Sequence, residues 1–498
     1  MHIPDVTADN AVASALAEWM IVAYDAYMPT CSHTRIKLRG PPRPSWLYGY
    51  NKIFLTTPSA QLHETWQAKY GDAYSLPVAV GETRIALLDP KALVWVFSSN
   101  VYNYVRPVGQ SKLVASLVWD DHKRIRKTMM PGFTPAALRS FTTVFLEEAY
   151  HVKDAWSTMF SEQKGGLDSI GKAGFGHDFA SVTGEKPLIQ KLLDSFGTSR
   201  QSPITALVLS LVHAFPILVD LPTKRKVFRD KLRMAMMGIA TDILEESHKV
   251  GEEGRKSLIE NVLSRSTSFP PIHHSWQINT IMFAGYDTTS TTLLWALHEL
   301  SLNPTAQSKL REELSQFHEP TYDHLREKMV YLDAVVKEVL RLHPSIVEIY
   351  WNAIKDDVLP LARPITTASG EQISQIPIKG GQGITVPIEA LVRSPAIWGE
   401  DSHEFRPERW NEHLPERVRE FHAWSNLWTF GDGPRGCIGR TFAIAELKAV
   451  ICILIQNFTF EPLTPGGKDV RRVPGVTPRP VNDGSHGLKL RVSQIGMD

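Results

Sequence analysis

The sequence has few cysteines and no excess of charge of either sign. Only three cysteines, Cys31, Cys437 and Cys452, occur among its 498 residues. This odd, sparse set cannot form a disulfide framework and fits a reducing compartment. Lysine and arginine total 54 against 53 aspartates and glutamates, which excludes a general nucleic-acid binder and an acidic tail protein. Charged residues at 21% and hydrophobic residues at 43% exclude a mostly disordered chain.

The sequence also lacks a clear membrane-spanning run. The stretch from Ala11 to Tyr24 is apolar, but it is short, contains Glu18 and has no basic start of the signal-peptide kind, whereas a spanning helix needs about 20 apolar residues. The run GPPRP at 40–44 then breaks any helix. We interpret residues 1–39 as a weak or interfacial membrane anchor, or equally as a frayed amphipathic helix.

Helical periodicity dominates the remaining chain. Two short strands around a turn are predicted between Tyr74 and Leu88, and Pro90 then opens a helix. The apolar spacing from about Pro131 to Asn303 is mostly helical, and Gln277–Leu302 predicts one helix of about 26 residues. A buried helix and a strand region are predicted further on, at Met329–Leu342 and Val358–Pro387. The chain is therefore expected to form a mainly α fold with a small β region.

The glycine-rich loop Phe430–Gly439 is the most informative segment, and an apolar helix follows it at once. Cys437 would lie at the N-terminus of that helix, where the dipole and unpaired N–H groups favour a thiolate. Three of the glycines also spell G-x-G-x-x-G, but the surrounding strand–helix–strand unit of a dinucleotide site is not visible. A nucleotide-dependent dehydrogenase and an inert buried cysteine remain alternatives at this point.

The haem-binding signature F-x-x-G-x-R-x-C-x-G of the cytochrome P450 family is matched by Phe430, Gly433, Arg435, Cys437 and Gly439. Over about Gly40 to Leu490 the chain resembles that family. The resemblance implies haem b with Cys437 as the axial thiolate and metal ligand, and with Arg435 as a haem-propionate partner. It also implies the cytochrome P450 fold, as a single haem-binding monooxygenase domain at 40–498. A thiolate ligand donates electron density to haem iron and favours O–O cleavage.

The predicted long helix contains the segment AGYDTT at 284–289, which is similar to the oxygen-binding motif of the family. The resemblance implies that Gly285, beside Ala284, opens a groove for dioxygen, and that Thr288 with Asp287 relays protons. A glycine in mid-helix costs about 1 kcal/mol relative to alanine. Its presence here therefore favours a functional reason.

The same resemblance implies roles for two sets of charged residues. His122 and Arg126, four residues apart on one helical face, take positions that contact the haem propionates. Glu338 and Arg341, together with Arg409, take the positions of a buried salt-bridged network that supports the cysteine loop. Isolated pairs with this spacing are usually exposed and contribute little to stability, so the cysteine signature carries these assignments.

The resemblance implies a reaction and its partners. One oxygen atom of O2 would enter an apolar small molecule, with electrons delivered from NADPH by an NADPH–cytochrome reductase, a flavoprotein. An acidic redox partner would dock on basic residues near the cysteine loop, namely Lys123, Arg124, Lys127, Arg440 and Lys448. Substrate contacts are expected from Phe283, Thr292, Val105–Val118 and Ile346–Tyr350.

Four segments are most similar to membrane-associated fungal members of the family, namely GPPRPSWLYGY, DHKRIRK, AGFGHDF and FRPERW. This similarity predicts the cytosolic face of the endoplasmic reticulum membrane and a role in secondary metabolism such as terpenoid hydroxylation. Two haem-binding alternatives remain, a reductase-independent isomerase or dehydratase and a non-catalytic haem-binding protein.

Three departures from the family pattern bear on these expectations. The N-terminal anchor is weak. Trp351 stands where the family often has an arginine, so one propionate contact is expected to be missing. The stretches before His122 and around Glu162–Leu167 are shorter than usual.

Overall fold

The structure is a computed structural model that describes residues 36–107, 119–158, 271–473, 477–483, 485 and 487–495, and five helical positions between 227 and 238. The predicted anchor at 1–39 and the short stretch at 162–167 lie almost wholly outside these residues, as does most of the predicted substrate segment 105–118. Among the described helices, none has the length and apolar character needed to cross a bilayer.

Helices make up most of the described structure. The α-helices are α1 (Ser59–Tyr70), α2 (Pro90–Val94), α3 (Trp119–Met129), α4 (Pro135–Thr158), α5 (Pro271–Leu302), α6 (Pro304–Leu314), α7 (Val330–Leu342), α8 (Ile388–Arg393), α9 (Pro395–Trp398), α10 (Glu416–Arg419) and α11 (Arg440–Asn457). Shorter helical turns include Trp95–Ser99, Val101–Asn103, His324–Lys328, Pro407–Asn411 and Gly433–Arg435.

The strands form one five-stranded sheet and three two-stranded ribbons within the described residues. They are β1 (Ala73–Pro77), β2 (Thr83–Leu87), β3 (Tyr104–Val105), β4 (Ile349–Ala353), β5 (Asp357–Thr366), β6 (Gln372–Ile378), β7 (Gly383–Val386), β8 (Phe458–Pro462), β9 (Val470–Val473), β10 (Arg479–Asn482) and β11 (Leu490–Gln494). The larger sheet has the order β1-β2-β7-β4-β3, and only β2 and β7 are parallel. The ribbons pair β5 with β6, β8 with β11 and β9 with β10. The predicted mainly α fold with a small β region is confirmed.

Local chemistry explains the early elements. The predicted turn between β1 and β2 has Gly81 at φ +70°, a conformation that favours glycine. Helix α2 begins at Pro90, as predicted, because the Asp89 side chain accepts a hydrogen bond from the Ala92 N–H at 3.0 Å and caps the helix.

The long helix α5 has 32 residues, which is about 48 Å at 1.5 Å per residue. It begins at Pro271, six residues before the predicted Gln277. Proline is tolerated at the first helical position because the N–H that it lacks would have no partner there. The helix ends at Leu302, as predicted, because Asn303 precedes a proline and is non-helical.

Helices α7 and α11 belong to the core. Helix α7 begins one residue after the predicted Met329, which is its non-helical N-cap. Helix α11 is buried on most sides, and Phe442 packs edge-on against Phe145 of α4 at 4.8 Å between ring centres. Helix α11 also packs against α5 and α7, so the cysteine loop before it is attached to the centre of the domain.

Candidate functional site

The loop before α11 is closed by its own backbone. The Cys437 N–H donates to the Phe430 carbonyl at 2.8 Å, and the Gly436 N–H donates to the Gly433 carbonyl at 3.0 Å. The short turn Gly433–Arg435 lies between these bonds. The predicted glycine-rich segment is therefore a compact loop that ends directly at α11.

Gly433 is the glycine of this loop whose surroundings leave the least room for a side chain. Its φ is +64°, and a Cβ added there would lie 2.2 Å from the Phe97 carbonyl oxygen and 2.6 Å from Ser98 Oγ. By contrast, a Cβ on Gly439 would make only ordinary contacts, at 3.8 Å from Phe133 and 4.0 Å from Cys437 Sγ. The close approach to Phe97 and Ser98 fixes the loop against the segment that follows α2.

The Cys437 side chain is exposed on one side and enclosed by its loop on the other. Burial raises the pKa of the Cys437 thiol, while hydrogen bonding from the Gly439 and Arg440 backbone and the positive charges of Arg126 and Arg440 oppose that rise. The N-terminus of α11 thus supplies hydrogen-bond donors to the sulfur, as expected, but these donors lower the pKa of the thiol by less than burial raises it. Because a bound metal deprotonates a coordinating thiol, this sulfur suits an axial ligand better than a free nucleophile.

Basic side chains lie beside this loop. The pKa of His122 is lowered by burial and by the positive charges of Arg435, Arg126 and Arg106. Burial and Arg435 also lower the pKa of Arg106. Arg126 donates from Nη1 to the Gly436 carbonyl at 2.5 Å, which attaches the cluster to the loop. Several positively charged side chains close together in a half-buried site favour the binding of an anionic ligand.

The donors of this cluster include groups that lack a hydrogen-bond partner. His122 Nδ1, Arg435 Nε and Trp351 Nε1 are buried and unpartnered among the described residues. Haem presents two carboxylates and an iron that binds thiolate, and charge-assisted hydrogen bonds to carboxylates are strong. The residues at this site therefore fit haem. The structure brings Cys437, Arg435, His122 and Arg126 together, and it adds Arg106, which sequence reasoning missed.

The AGYDTT turn lies in the middle of α5. The Thr288 hydroxyl donates to the Ala284 carbonyl at 2.6 Å. Ala284 is exposed and Gly285 is half-buried, whereas Asp287 and Thr289 are buried. The turn therefore has one accessible side, which carries Ala284, Gly285 and Thr288.

Asp287 is engaged by the β9–β10 ribbon. One carboxylate oxygen of Asp287 accepts from Arg479 Nη2 and the other accepts from the Thr477 hydroxyl. Two turns further along α5, Trp295 Nε1 donates to the Pro478 carbonyl at 2.9 Å. Residues 477–479 therefore run along one face of α5, and Arg479 is a second functional candidate that sequence reasoning missed.

Glu338 organises the second predicted group. Its fully buried carboxylate accepts two hydrogen bonds from Arg341 at 2.9 Å, one from Arg409 Nε at 2.9 Å, one from Trp410 Nε1 at 3.0 Å and one from the Arg406 N–H at 3.0 Å. Five donors thus meet one carboxylate, which meets the condition for burying a charge.

This network is connected to the cysteine loop. The Thr429 hydroxyl, next to Phe430, donates to the Leu340 carbonyl of α7 at 2.9 Å. Leu340 lies between Glu338 and Arg341 of the network. Helix α7 thereby joins the buried charges to the first residues of the loop.

One expected docking residue is misplaced by sequence reasoning. Lys448 is buried, pairs with Asp333 at 2.6 Å and donates to the Leu325 carbonyl at 2.9 Å. It therefore cannot meet a partner protein. Of the others, Lys123, Arg124 and Lys127 are exposed and Arg440 is half-buried.

The expected substrate segments are described only in part. Thr292 is buried, its hydroxyl donates to the Thr288 carbonyl at 2.9 Å and lies 3.0 Å from Ser345 Oγ. Ile346 follows Ser345 and is 38% exposed, which is unusual for a large aliphatic side chain beside a buried turn. The side chain of Phe283 lies outside the described residues.

Glu446 of α11 is a buried acid that sequence reasoning also missed. Burial raises the pKa of Glu446 to about 8, although a hydrogen bond from Thr289 lowers it in part. Its Oε2 has no partner among the described residues. In the folded chain Glu446 is therefore mostly protonated at neutral pH.

We expect Glu446→Gln to flatten the pH dependence of stability. The folded chain keeps this proton up to about pH 8, whereas an unfolded glutamate loses it near pH 4.5, so the group favours folding at low pH and this contribution is lost as pH rises between the two values. Urea unfolding from about pH 5 to pH 9 should show the variant gaining stability over the parent as pH rises. The exposed Glu461→Gln is the control, and parallel curves for the parent and Glu446→Gln would contradict the assignment.

The comparisons with known proteins agree with this site. The family profile "Cytochrome P450" matches residues 39–478. Cytochrome P450 monooxygenase claQ of Ampulloclitocybe clavipes is 39% identical, with 92% of this chain and 93% of the relative covered. Cytochrome P450 monooxygenase 205 of Postia placenta is 32% identical, with 92% and 93% covered. A ganoderic acid synthetase of Ganoderma lucidum is 29% identical, with 80% and 84% covered.

The match spans nearly the whole described domain, and it includes the cysteine loop, the AGYDTT turn and the Glu338 network. A dinucleotide site on the glycine loop is excluded, because the loop contains a 3₁₀ turn and leads into α11, and no strand–helix–strand unit surrounds it among the residues that the structure describes. The chain belongs to the cytochrome P450 family and is a haem-thiolate monooxygenase with the fold of that family.

Proposed function

We propose that residues 40–498 form one monooxygenase domain that inserts an oxygen atom of O2 into an apolar small molecule, with electrons passed from NADPH by a flavoprotein reductase. The observation that carries this proposal is the enclosed yet accessible Cys437 sulfur beside guanidiniums and unpartnered donors. When bound at this site, haem supplies redox chemistry and O–O cleavage that the side chains lack.

The cysteine loop and its neighbours bind and orient the cofactor. Cys437, positioned by the backbone bond to Phe430, would hold the haem iron through its sulfur. Arg435, His122, Arg126 and Arg106 would hold the haem propionates. Burial, and after it the neighbouring positive charges, lower the pKa values of His122 and Arg106, and the carboxylates would neutralise part of that charge.

Helix α5 binds oxygen and moves protons. Gly285 beside Ala284 leaves space at the accessible side of the turn. The Thr288 hydroxyl donates its proton to the Ala284 carbonyl, and rotation of the hydroxyl away from that carbonyl directs the proton to the accessible side of the turn. Asp287 relays the proton to Thr288, and its carboxylate must first leave Arg479 or Thr477 and take up a proton from solvent.

Exposed apolar and basic side chains indicate where the substrate and the reductase would bind. Ile346, just beyond Ser345 at the Thr288 turn, offers an apolar contact to substrate. The exposed Lys123, Arg124 and Lys127 offer an electrostatic surface to an acidic reductase. The likeness to fungal monooxygenases and to a ganoderic acid synthetase supports a role in secondary metabolism, with terpenoid hydroxylation as the class of reaction.

The proposed location is the cytosolic face of the endoplasmic reticulum membrane, with residues 1–39 as an interfacial anchor. The basic residues after the apolar stretch support contact with an anionic lipid surface. Co-sedimentation of the full chain and of a form that begins at residue 40 with anionic vesicles tests this location, and equal binding of both would contradict it.

We expect Thr288→Ala to uncouple electron use from product formation. Without the hydroxyl, protons are delivered poorly at the accessible side of α5, so product formed per NADPH should fall about a hundredfold while hydrogen peroxide rises, the lower end of the effect typical for a proton-transfer group. The measurement is NADPH, peroxide and product in the same reaction with reductase and a panel of apolar molecules.

Ser290→Ala is the matched control, because the Ser290 hydroxyl makes the same backbone contact, to the Tyr286 carbonyl at 2.5 Å. This variant should keep the parent ratio of product to NADPH. Unchanged coupling in Thr288→Ala would contradict the role of Thr288. Product formation without NADPH would instead identify a reductase-independent isomerase or dehydratase, and haem without any turnover would identify a non-catalytic haem-binding protein.

A further inference from the structure

The position of Trp351 in the sheet determines what it contacts. In the antiparallel ladder between β3 and β4, Val105 pairs with Asn352. Extending this register by one residue places Arg106 opposite Trp351. The Arg106 guanidinium accordingly lies 5.4 Å from the centre of the indole ring. Trp351 thus pairs across the sheet with a residue of the basic cluster.

A second guanidinium reaches the same indole from the cysteine loop. Arg435 lies 5.1 Å from the Trp351 ring centre. Phe97 supports the ring from the side, edge-on at 5.6 Å, and only 3% of Trp351 is exposed. Tryptophan attracts cations more strongly than any other side-chain ring, so it can hold two guanidiniums that would otherwise repel each other.

The indole N–H is a donor without an acceptor. Trp351 Nε1 and Arg435 Nε are both buried and unpartnered among the described residues. A buried donor without a partner is costly and rare in folded proteins. These two donors lie on neighbouring side chains next to Arg106. A carboxylate has two acceptor oxygens and is therefore a suitable partner for them.

We propose that Trp351 is a haem-binding residue that takes the place of the arginine often found here in the family. It holds the guanidiniums of Arg106 and Arg435 together for the haem carboxylates and offers its indole N–H as a further donor. This inference rests on the proposed function, since it requires haem at Cys437. It replaces the expectation that a propionate contact is missing from this chain.

Two substitutions separate the ring from the N–H. Trp351→Phe keeps an aromatic face and removes the donor, whereas Trp351→Leu removes both. The measurement is the rate at which ferric holoprotein loses haem to an excess of an apo-haemoprotein acceptor. We expect release to be about tenfold faster in Trp351→Phe and about a hundredfold faster in Trp351→Leu, since each lost contact weakens binding.

The control is Trp295→Leu, which removes another buried indole that carries a guanidinium, that of Arg472 at 5.6 Å. Trp295 packs against His343 rather than the cysteine loop. The control shows how much haem release follows from the loss of a buried indole, its guanidinium contact and its hydrogen bond to the Pro478 carbonyl at a different place in the core. Trp351→Leu releasing haem no faster than Trp295→Leu would overturn the proposal.

A second readout separates haem binding from packing. In the full chain freed of haem, the unpartnered indole N–H is a cost, so Trp351→Phe should unfold in urea at the parent's midpoint or above it while still losing haem faster. A lower midpoint with parent-like haem release would assign Trp351 to packing and overturn the proposal. A parent that binds no haem would contradict the proposed function itself, whereas a haem-loaded parent with unaltered Trp351 variants would contradict this inference alone.

Discussion

Cys437→Ala is expected to fold and yet to lose substrate oxidation by at least about a thousandfold, since the thiolate ligand drives O–O cleavage and its removal has the scale of losing a central catalytic group. The fold should survive because Cys437 is exposed on one side and its loop is held by backbone bonds to Phe430 and Gly433. The measurement is NADPH-dependent product formation with reductase and apolar molecules, together with the urea midpoint.

Cys452→Ala is the matched control, because Cys452 is the other cysteine of the described residues and is buried in the core on α11. Burial raises the pKa of its thiol to about 12, so it is neither a ligand nor a nucleophile. This variant should keep its activity at a modest cost in stability. Substantial oxidation by Cys437→Ala would contradict the assignment of the axial ligand.

Glu338→Gln is expected to destabilise the fold by about 3–5 kcal/mol, since it leaves the buried cation of Arg341 without a counter-charge and leaves Arg409 with Asp401, at 3.2 Å, as its remaining carboxylate partner. Arg341 has no exposed surface, and its other bonds go to backbone carbonyls of residues 392, 402 and 404. The glutamine side chain also has an NH2 group where glutamate has a second oxygen. This NH2 group would face the N–H donors of Arg341, Arg409 or Trp410 and could accept a hydrogen bond from none of them. Chemical unfolding of the haem-loaded chain measures the loss.

The exposed pair of Asp323 and Arg139, at 2.7 Å, provides the comparison. Asp323→Asn removes an ion pair of similar length in which both partners are more than half exposed. Its loss of stability should be negligible, because solvent already screens the pair. Equal losses for Glu338→Gln and Asp323→Asn would show that the buried network does not support the fold. A large loss for Glu338→Gln with a lower haem content would connect the network to the cysteine loop through Thr429.

Local signals predicted most of the fold. The β1–β2 turn, the capped start of α2 and the end of α5 each depend on residues that are adjacent in sequence. The start of α5 lies six residues before the predicted one, because proline ends helices but is equally typical of a first helical turn, so Pro271 does not show from the sequence which of the two it does.

The cysteine loop was also predictable, because its glycines and Cys437 are contiguous and form one motif. Arg106 and Arg479 carry no such motif. The β3–β4 register brings Arg106 to Trp351, and the position of β10 beside α5 brings Arg479 to Asp287. Both contacts join distant parts of the chain.

Lys448 shows the opposite error. It follows the motif closely in sequence and is charged, so a surface role was the natural expectation. Its burial depends on Asp333 of α7 and on a carbonyl of a separate helical turn, and neither partner is visible from the residues around it.

The carbon monoxide difference spectrum of the reduced, haem-loaded protein tests the central claim most directly, since the position of its band reports the ligand opposite carbon monoxide. The Cys437 geometry predicts the strongly red-shifted band of a thiolate ligand in the parent and in Cys452→Ala, and its absence in Cys437→Ala. A parent band at the position typical of a histidine or neutral-thiol ligand, or a folded protein that binds no haem, would contradict it.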